Sequence, residues 1–352
     1  MKKKVLTLTA MVLTLALLAS CAGPAAPVTP ADAPDPGPAQ AADPAPGGED
    51  NQNQDTADNG EQNFRIAVSL PPIANDFHAR MRIIINNAVD EILAEHPGWY
   101  FTVTNAIDDD DQLNQLDIFL NGNYDLIGIM PNNGTLLTPI SEYIYNSGIP
   151  TVIMNRAIDS DVYTSFVTGD NFGGGYNAAH FIADFLGGEG DLVVLRSNAG
   201  SPIDIDRFNG FMEGIANYPG INILSEGDGQ FNREAGFNAM SHILSAEAHI
   251  DAVFAQDDEA GLGAMTAIQA AGRDDIRIIT GFGGTLSAFE IYQMDDPDQI
   301  FRATMSYFPT MGAEGIRQAV RILLGEPFER DIFQPSYVVT SENVHFFLDY
   351  AY

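Results

Sequence analysis

Short apolar runs alternate with longer amphipathic stretches along the chain from residue 64 onward. The clearest case is 250–285, where an apolar run at 251–255 comes directly before a group of polar residues that includes Asp257. Apolar side chains then recur at helical spacing over 262–271, and a second apolar run follows at 276–280. This order predicts a buried strand, a helix and a second strand, joined so that the two strands run parallel.

The same alternation occurs in two successive series. Strands and helices are predicted in turn over 64–168, and again over 169–299. Alternating elements of this kind form parallel sheets with helices on both faces, so the predicted fold class is α/β with two doubly wound, Rossmann-like lobes. We assign 64–168 plus 300–330 to the N-terminal lobe and 169–299 plus 331–352 to the C-terminal lobe. The chain therefore crosses between the lobes more than once.

Asp257 stands where a predicted strand ends and a predicted helix begins. In open α/β sheets, ligands bind at the carboxyl ends of the strands, so we expect Asp257 to lie near a ligand. An aspartate at such a junction also serves as an N-cap, and Asp258 is an alternative cap for the same helix. Gly272 is predicted to end this helix.

Residues 1–21 have the pattern of a bacterial export signal that ends in a lipobox. Three lysines at 2–4 precede an apolar run at 5–18, and the signal closes with L-A-S and Cys21. This pattern predicts cleavage before Cys21 and its lipidation, and an ordinary secretory signal with an incidental cysteine is the alternative. Residues 22–63 are rich in Pro, Ala, Gly and Asp, bury too little apolar surface to fold, and are predicted to form a disordered tether.

Charge and cysteine content exclude several classes of function. The net charge of −32 argues against a nucleic-acid partner, because phosphate binding needs a basic patch. Cys21 is the one cysteine, so no internal disulfide forms. The acids at 108–111 are predicted to begin a helix rather than to bind calcium, because no EF-hand glycine and glutamate follow. No nucleophile–base pair or metal-ligand spacing occurs, so we expect no catalytic residue, metal or cofactor.

Six short phrases, in a fixed order, carry a resemblance to a known family. They are GIPTVIMNR at 148–156, GDN at 169–171, RFNGF at 207–211, AVFAQDDE at 252–259, GFGGT at 281–285 and TSENV at 340–344. With these phrases, nearly all of 64–348 resembles the type I periplasmic binding proteins of sugar ABC transporters, of the ribose- and galactose-binding kind. The resemblance implies two lobes that are linked by a three-segment hinge and close on a sugar without altering it.

The resemblance also implies which residues bind the sugar. Matched by position, they are Asn75, Phe77, His78, Asn155, Arg156, Arg207, Phe231, Asp257 and Tyr307. Arginine forks donate hydrogen bonds to sugar hydroxyls, carboxylates accept them, and aromatic rings cover the apolar faces of the sugar. A core position for Phe231, and a surface or satisfied histidine at position 78, are the alternatives for those two residues.

Two positions depart from the family pattern. Gly283 stands where the family has an aspartate, and Tyr307 stands where it has a glutamine. A pair of sugar hydroxyls buried against Gly283 would lose its acceptor, at a cost of about 1–3 kcal/mol for each unpaired group. These departures predict a ligand other than ribose, such as another pentose, a hexose or a polyol.

The sequence therefore predicts a lipid-anchored receptor in the cell envelope, on the outer side of the cytoplasmic membrane or in the periplasm. Its predicted ligand is a monosaccharide or related small polyol, which it would deliver, as a monomer, to the transmembrane subunits of an ABC permease. The alternative is a sensor that presents a sugar-like signal to a chemoreceptor or a histidine kinase.

Overall fold

The computed structural model describes residues 62–294, 296 and 298–352. The predicted export signal with Cys21, and nearly all of the predicted tether, lie outside these residues. The strands are β1 (Arg65–Leu70), β2 (Tyr100–Asn105), β3 (Leu126–Ile129), β4 (Thr151–Met154), β5 (Ser165–Gly169), β6 (Glu189–Arg196), β7 (Gly220–Asp228), β8 (Ala252–Ala255), β9 (Ile278–Gly283), β10 (Phe301–Ser306), β11 (Asp331–Gln334) and β12 (Val338–Val339). The helices are α1 (Asp76–Glu95), α2 (Asp109–Leu120), α3 (Gly134–Asn146), α4 (Asn171–Leu186), α5 (Pro202–Ile215), α6 (Arg233–Ala246), α7 (Asp258–Ala271), α8 (Leu286–Tyr292) and α9 (Met311–Leu324).

The strands form two six-stranded sheets, one in each lobe. The first sheet has the order β11-β5-β4-β3-β1-β2, and all its neighbouring strands are parallel. The second has the order β12-β10-β9-β8-β6-β7, and only β12 in it is antiparallel to its neighbour. The predicted fold class, two doubly wound α/β lobes, is confirmed, with one antiparallel edge strand in addition.

The predicted division of the late elements between the lobes was wrong in two places. The strand at 301–306 was assigned to the first lobe, but β10 pairs with β9 in the second sheet. The stretch at 331–334 was assigned to the second lobe, but β11 pairs with β5 in the first sheet. The apolar pattern of a strand shows that it is buried but not which sheet it joins, so these two positions were not predictable from the pattern.

The chain crosses between the lobes three times: after β5, after β10 and after β11. Between the last two crossings, α9 packs on the first lobe, where Gly312 approaches the side chains of Met81 and Ile85 on α1. The three crossings give the hinge segments that the family resemblance implied.

Local sequence explains where the elements begin and end. Asp108 caps α2 by accepting a hydrogen bond from the Asp111 amide at 2.8 Å, so the acid run begins a helix as predicted. Gly272 ends α7 in left-handed backbone with φ of 65°, also as predicted. Strands β3, β4 and β8 are buried throughout, which accounts for their continuous apolar sequence. Among the helices that the structure describes, none has the length and apolar character that a membrane span needs.

Candidate functional site

A cavity of about 720 Å³ lies between the two lobes, at the carboxyl ends of their strands. The first lobe lines it with the start of α1 and the residues after β4, and the second lobe with residues that follow β7, β8 and β9 and part of α5. All nine residues predicted to bind the ligand line this cavity: Asn75, Phe77, His78, Asn155, Arg156, Arg207, Phe231, Asp257 and Tyr307. Their contact with a ligand stays a prediction.

Arg156 brings a positive charge to the cavity from the first lobe. It directly follows Asn155 at the end of β4, and its Nη1 donates to the carbonyl oxygen of Asn132 at 2.8 Å. Burial lowers the pKa of Arg156 from its ordinary value, and the nearby Tyr307 and Asp109 oppose this shift. An arginine remains charged under these conditions, so the fixed guanidinium is a hydrogen-bond donor to whatever enters the cavity.

Arg207 brings the second positive charge, from α5 of the second lobe. Its side chain is held by two hydrogen bonds, from Nε to the Asn171 side-chain oxygen at 3.0 Å and from Nη1 to the Gln256 carbonyl oxygen at 2.5 Å. Its guanidinium carbon lies 3.7 Å from the ring centre of Phe282 and 4.8 Å from that of Tyr307. Stacking on aromatic rings orients the charged fork without neutralising it.

Neither arginine forms an ion pair with an acid in the described part of the chain. Arg207 is only 3% exposed, so its charge is kept from solvent by the protein around it. A buried cation without a carboxylate partner favours a ligand with acceptor oxygens.

Asp257 caps α7 and also lines the cavity, and its contact with a ligand stays a prediction. Its Oδ1 accepts a hydrogen bond from the Ala260 amide at 3.1 Å and so caps α7, while the residue also lines the cavity. Burial, followed by repulsion from Asp258, raises the pKa of the Asp257 carboxyl to about 7, and Arg207 partly opposes the shift. Near neutral pH this carboxyl can therefore either accept or donate a hydrogen bond.

Asp258 is not the helix cap but a buried support for the next loop. The residue is fully buried, and its Oδ2 accepts hydrogen bonds from the amides of Gly284 at 2.7 Å and Thr285 at 2.8 Å. These bonds fix the loop after β9, which forms the cavity wall beside Asp257.

Aromatic rings form another part of the wall. The rings of Phe77 and Tyr307 are stacked at 5.8 Å between centres, and Phe77 meets Tyr352 edge-on at 5.3 Å. Phe231 is half-buried and lines the cavity, and its backbone has φ of 53°, a left-handed conformation that is costly for a bulky residue. Flat apolar surfaces of this kind suit the C–H faces of a sugar ring.

Asn75 and His78 occupy the start of α1. The Asn75 side-chain oxygen caps the helix by accepting from the His78 amide at 3.0 Å. His78 is buried, and burial together with the charge of Arg156 lowers the pKa of its imidazole to about 4, so the ring is neutral at pH 7. His78 therefore lines the cavity and is a buried, satisfied residue at the same time.

Two aromatic residues, Phe282 and Tyr352, are among the lining residues that were not predicted. Phe282 belongs to the GFGGT phrase that follows the apolar run at 276–280, and in the structure it lies within β9. Tyr352 follows two short 3-10 turns at Val344–Phe346 and Leu348–Tyr350 and belongs to no strand-end motif. No periodic signal in the sequence marks either residue as part of a ligand cavity. In the described residues, no group of three or more His, Cys, Asp or Glu side chains is placed to hold a metal ion.

Fold and cavity together define a two-lobed binding protein of the type I class, and comparison with known proteins gives the family. A family model described as a periplasmic binding protein domain matches residues 66–327. The chain therefore belongs to the periplasmic binding protein family, which is a family of binding proteins rather than enzymes and implies an extracytoplasmic location.

Curated relatives and solved structures agree with this placement. The ribose import binding protein of Escherichia coli (strain K12) is 32% identical over 181 residues, which cover 51% of this chain and 59% of that protein. The matched region thus spans less than two thirds of that relative. The xylitol-binding protein of Mycolicibacterium smegmatis is 28% identical over 235 residues, or 66% of each chain.

Among solved structures, a solute-binding protein of Bacillus halodurans with bound myo-inositol has a TM-score of 0.73 and 28% identity, covering 82% of this chain and 98% of that one. The fructose-binding periplasmic domain of a hybrid two-component system has a TM-score of 0.71 and 29% identity, covering 80% of this chain and 92% of that domain.

Proposed function

We propose that this protein captures a monosaccharide or small polyol in the cavity between its lobes and delivers it to an ABC permease. The observation that carries the proposal is that Arg156 from the first lobe and Arg207 from the second line the same cavity. Neither has an acid partner in the described residues. A ligand whose oxygens accept from both arginines is held by both lobes at once, and so favours the arrangement in which they are close together.

The remaining chemistry of the cavity matches a polyhydroxylated ligand. Asp257 offers a carboxyl whose raised pKa of about 7 lets it accept or donate, and the Phe77 and Tyr307 rings offer flat apolar surface. The volume of about 720 Å³ leaves room for one sugar ring with bound water. The ribose, xylitol and myo-inositol in the names of its relatives span cyclic sugars, open-chain polyols and cyclitols, and support this ligand class.

Delivery to a permease requires a position outside the cytoplasmic membrane. The lipobox that ends at Cys21 supports a lipid anchor, and the proline-rich 22–63 segment supports a tether between the anchor and the binding lobes. We propose that the protein acts as a monomer on this tether.

A thermal-shift screen tests the proposed ligand class. The mature protein would be heated with pentoses, hexoses, alditols, inositols and sugar acids, and each hit would be titrated by calorimetry. A ligand at 100 times its Kd adds about 2.7 kcal/mol to the free energy of unfolding, which gives a clear rise in Tm. Failure of every sugar and polyol to raise the Tm would contradict the proposal.

Signal sensing is a second candidate function, and one observation favours it. The fructose-binding domain of a hybrid two-component system has the same fold, with a TM-score of 0.71 and 29% identity to this chain. Uptake of a radiolabelled ligand separates the two functions. If the protein serves transport, deleting Cys21 and the binding lobes should abolish uptake of the ligand. If it serves sensing, uptake should stay normal and the transcriptional response to the ligand should be lost.

A further inference from the structure

Tyr352 enters the cavity beside Gly283, the position where the family pattern has an aspartate. A β-carbon at residue 283 would lie 2.6 Å from the Tyr352 hydroxyl oxygen and 3.1 Å from Asp258 Oδ2. Real β-carbons essentially never approach a neighbouring atom this closely, so a side chain at 283 would require the Tyr352 hydroxyl to move. Gly283 also has φ of 147°, which favours glycine.

The segment that carries Tyr352 is fixed to the second lobe. The Tyr352 carbonyl oxygen accepts a hydrogen bond from the Leu286 amide at 2.8 Å, at the start of α8. Two residues earlier, the Tyr350 ring stacks on Phe308 at 5.4 Å, and Ala351 between them is buried. The main chain at Tyr352 is therefore held by its own hydrogen bond and by the core contacts of the two residues before it.

The same segment also reaches the first lobe. The Tyr352 ring meets Phe77 edge-on at 5.3 Å, and Arg80 Nη2 donates to the Asp349 carbonyl oxygen at 3.4 Å. Phe77 and Arg80 both belong to α1. Tyr352 thus lies where the two lobes meet at the cavity, within reach of a ligand that both lobes contact.

We propose that Tyr352 is a specificity-determining residue of the cavity, whose hydroxyl takes the place of the side chain that Gly283 lacks and hydrogen-bonds the bound sugar or polyol. This inference rests on the proposed function. A phenol differs from an aspartate in being neutral and in donating as well as accepting, so it recognises a different pattern of ligand oxygens. Burial and the nearby Asp258 raise the pKa of the Tyr352 hydroxyl well above its ordinary value, which keeps its proton in place at neutral pH.

Binding measurements on two variants test the role of Tyr352. Tyr352→Phe keeps the ring contact with Phe77 and removes the hydroxyl, and is expected to weaken the best ligand in the panel by about 2- to 12-fold. Tyr352→Ala opens the wall and is expected to change the order of preference among epimeric sugars. Tyr350→Phe is the matched control, because Tyr350 is 47% exposed and lies outside the cavity lining. Wild-type affinity and wild-type preference in both Tyr352 variants would overturn the inference.

A ligand-free measurement separates this inference from the proposed function. Gly283→Ala is expected to destabilise the wild-type protein more than it destabilises the Tyr352→Ala variant, because the 2.6 Å contact is absent there while the backbone cost of φ 147° is common to both. The strongest support for contact between residue 283 and Tyr352 would be that Gly283→Ala folds only when Tyr352 is also replaced by alanine. Additive losses in chemical denaturation would overturn it. If the wild-type protein binds no member of the panel, the proposed function fails, and this cycle still decides whether the two residues form one wall.

Discussion

The Tyr307 hydroxyl donates a hydrogen bond to the Asn155 side-chain oxygen at 2.8 Å. Tyr307 lies on the chain crossing after β10, and its backbone amide donates to the Gly283 carbonyl oxygen of the second lobe at 2.7 Å. Asn155 belongs to the first lobe, where its amide donates to the Val167 carbonyl oxygen at 2.8 Å. Tyr307 therefore links the two lobes through one residue at the floor of the cavity.

Replacing Tyr307 by phenylalanine is expected to lower the free energy of unfolding by about 1 kcal/mol, because the buried Asn155 side chain loses its donor while the stack on Phe77 remains. Chemical denaturation of the ligand-free protein measures the loss. Tyr337→Phe is a suitable control, since Tyr337 lies on another chain crossing and is 52% exposed. Equal stabilities for the two variants would contradict the structural role given to this hydrogen bond.

Replacing either cavity arginine by alanine is expected to weaken ligand binding by about 10- to 150-fold, because each loses a charge-assisted hydrogen bond. Calorimetric titration measures the affinity. The two variants should also differ in stability when no ligand is present. Arg207→Ala should destabilise the protein by about 1–3 kcal/mol, since it leaves the buried Asn171 and Gln256 acceptors without their donor. Arg317→Ala, at a half-exposed arginine outside the cavity, controls for the loss of a positive charge. Unchanged affinity in both cavity variants would remove them from the site.

The raised pKa of Asp257, about 7, makes both stability and binding depend on pH. Between its unfolded pKa near 4 and this value, the folded protein holds more protons than the unfolded chain, so the stability contribution falls as pH rises. Asp257→Asn keeps a helix cap and removes the titration. Relative to wild type, this variant should therefore gain at least about 1 kcal/mol of stability between pH 5 and pH 8. Because His78 titrates in both proteins, with a lowered pKa of about 4, its opposite contribution cancels in the comparison.

Ligand affinity should follow the same titration. If the ionised Asp257 carboxylate accepts from sugar hydroxyls, the affinity of the wild-type protein rises as pH increases through 7, and that of Asp257→Asn stays flat over the same range. Parallel pH profiles for the two proteins would show that this carboxyl does not titrate against the ligand.

Lipidation is predicted from the sequence alone, since Cys21 lies outside the residues that the structure describes. Cys21→Ser should leave the protein without an acyl chain and release it from the membrane fraction, because a single serine offers no thiol for lipid attachment. Fractionation and intact-mass measurement of the two proteins check this. Release of both proteins from the membrane fraction, with no acyl mass on the wild type, would favour an ordinary secretory signal instead.

The sequence predicted the elements that lie within the cores and the residues that follow strand ends, because both carry local signals. Apolar runs mark β3, β4 and β8, and the loops after strands carry Asn155, Arg156 and Asp257. Strand pairing between distant segments has no such local signal. For this reason β10 and β11 were each assigned to the wrong lobe. Tyr352 escaped prediction for the same reason: its place beside Gly283 depends on the path of the preceding 3-10 turns.

The late position of β11 in the sequence affects how the chain folds. The first lobe is incomplete without α9 and β11, which follow strands β6–β10 of the second lobe in the sequence. A fragment that ends at residue 169 would leave the edge of β5 unpaired and the α1 face with Met81 and Ile85 uncovered. The first lobe can therefore reach its native packing only after the chain has been synthesised through residue 334. Late pairing between distant segments slows folding, which keeps the chain open for longer than two consecutive domains of the same size would require.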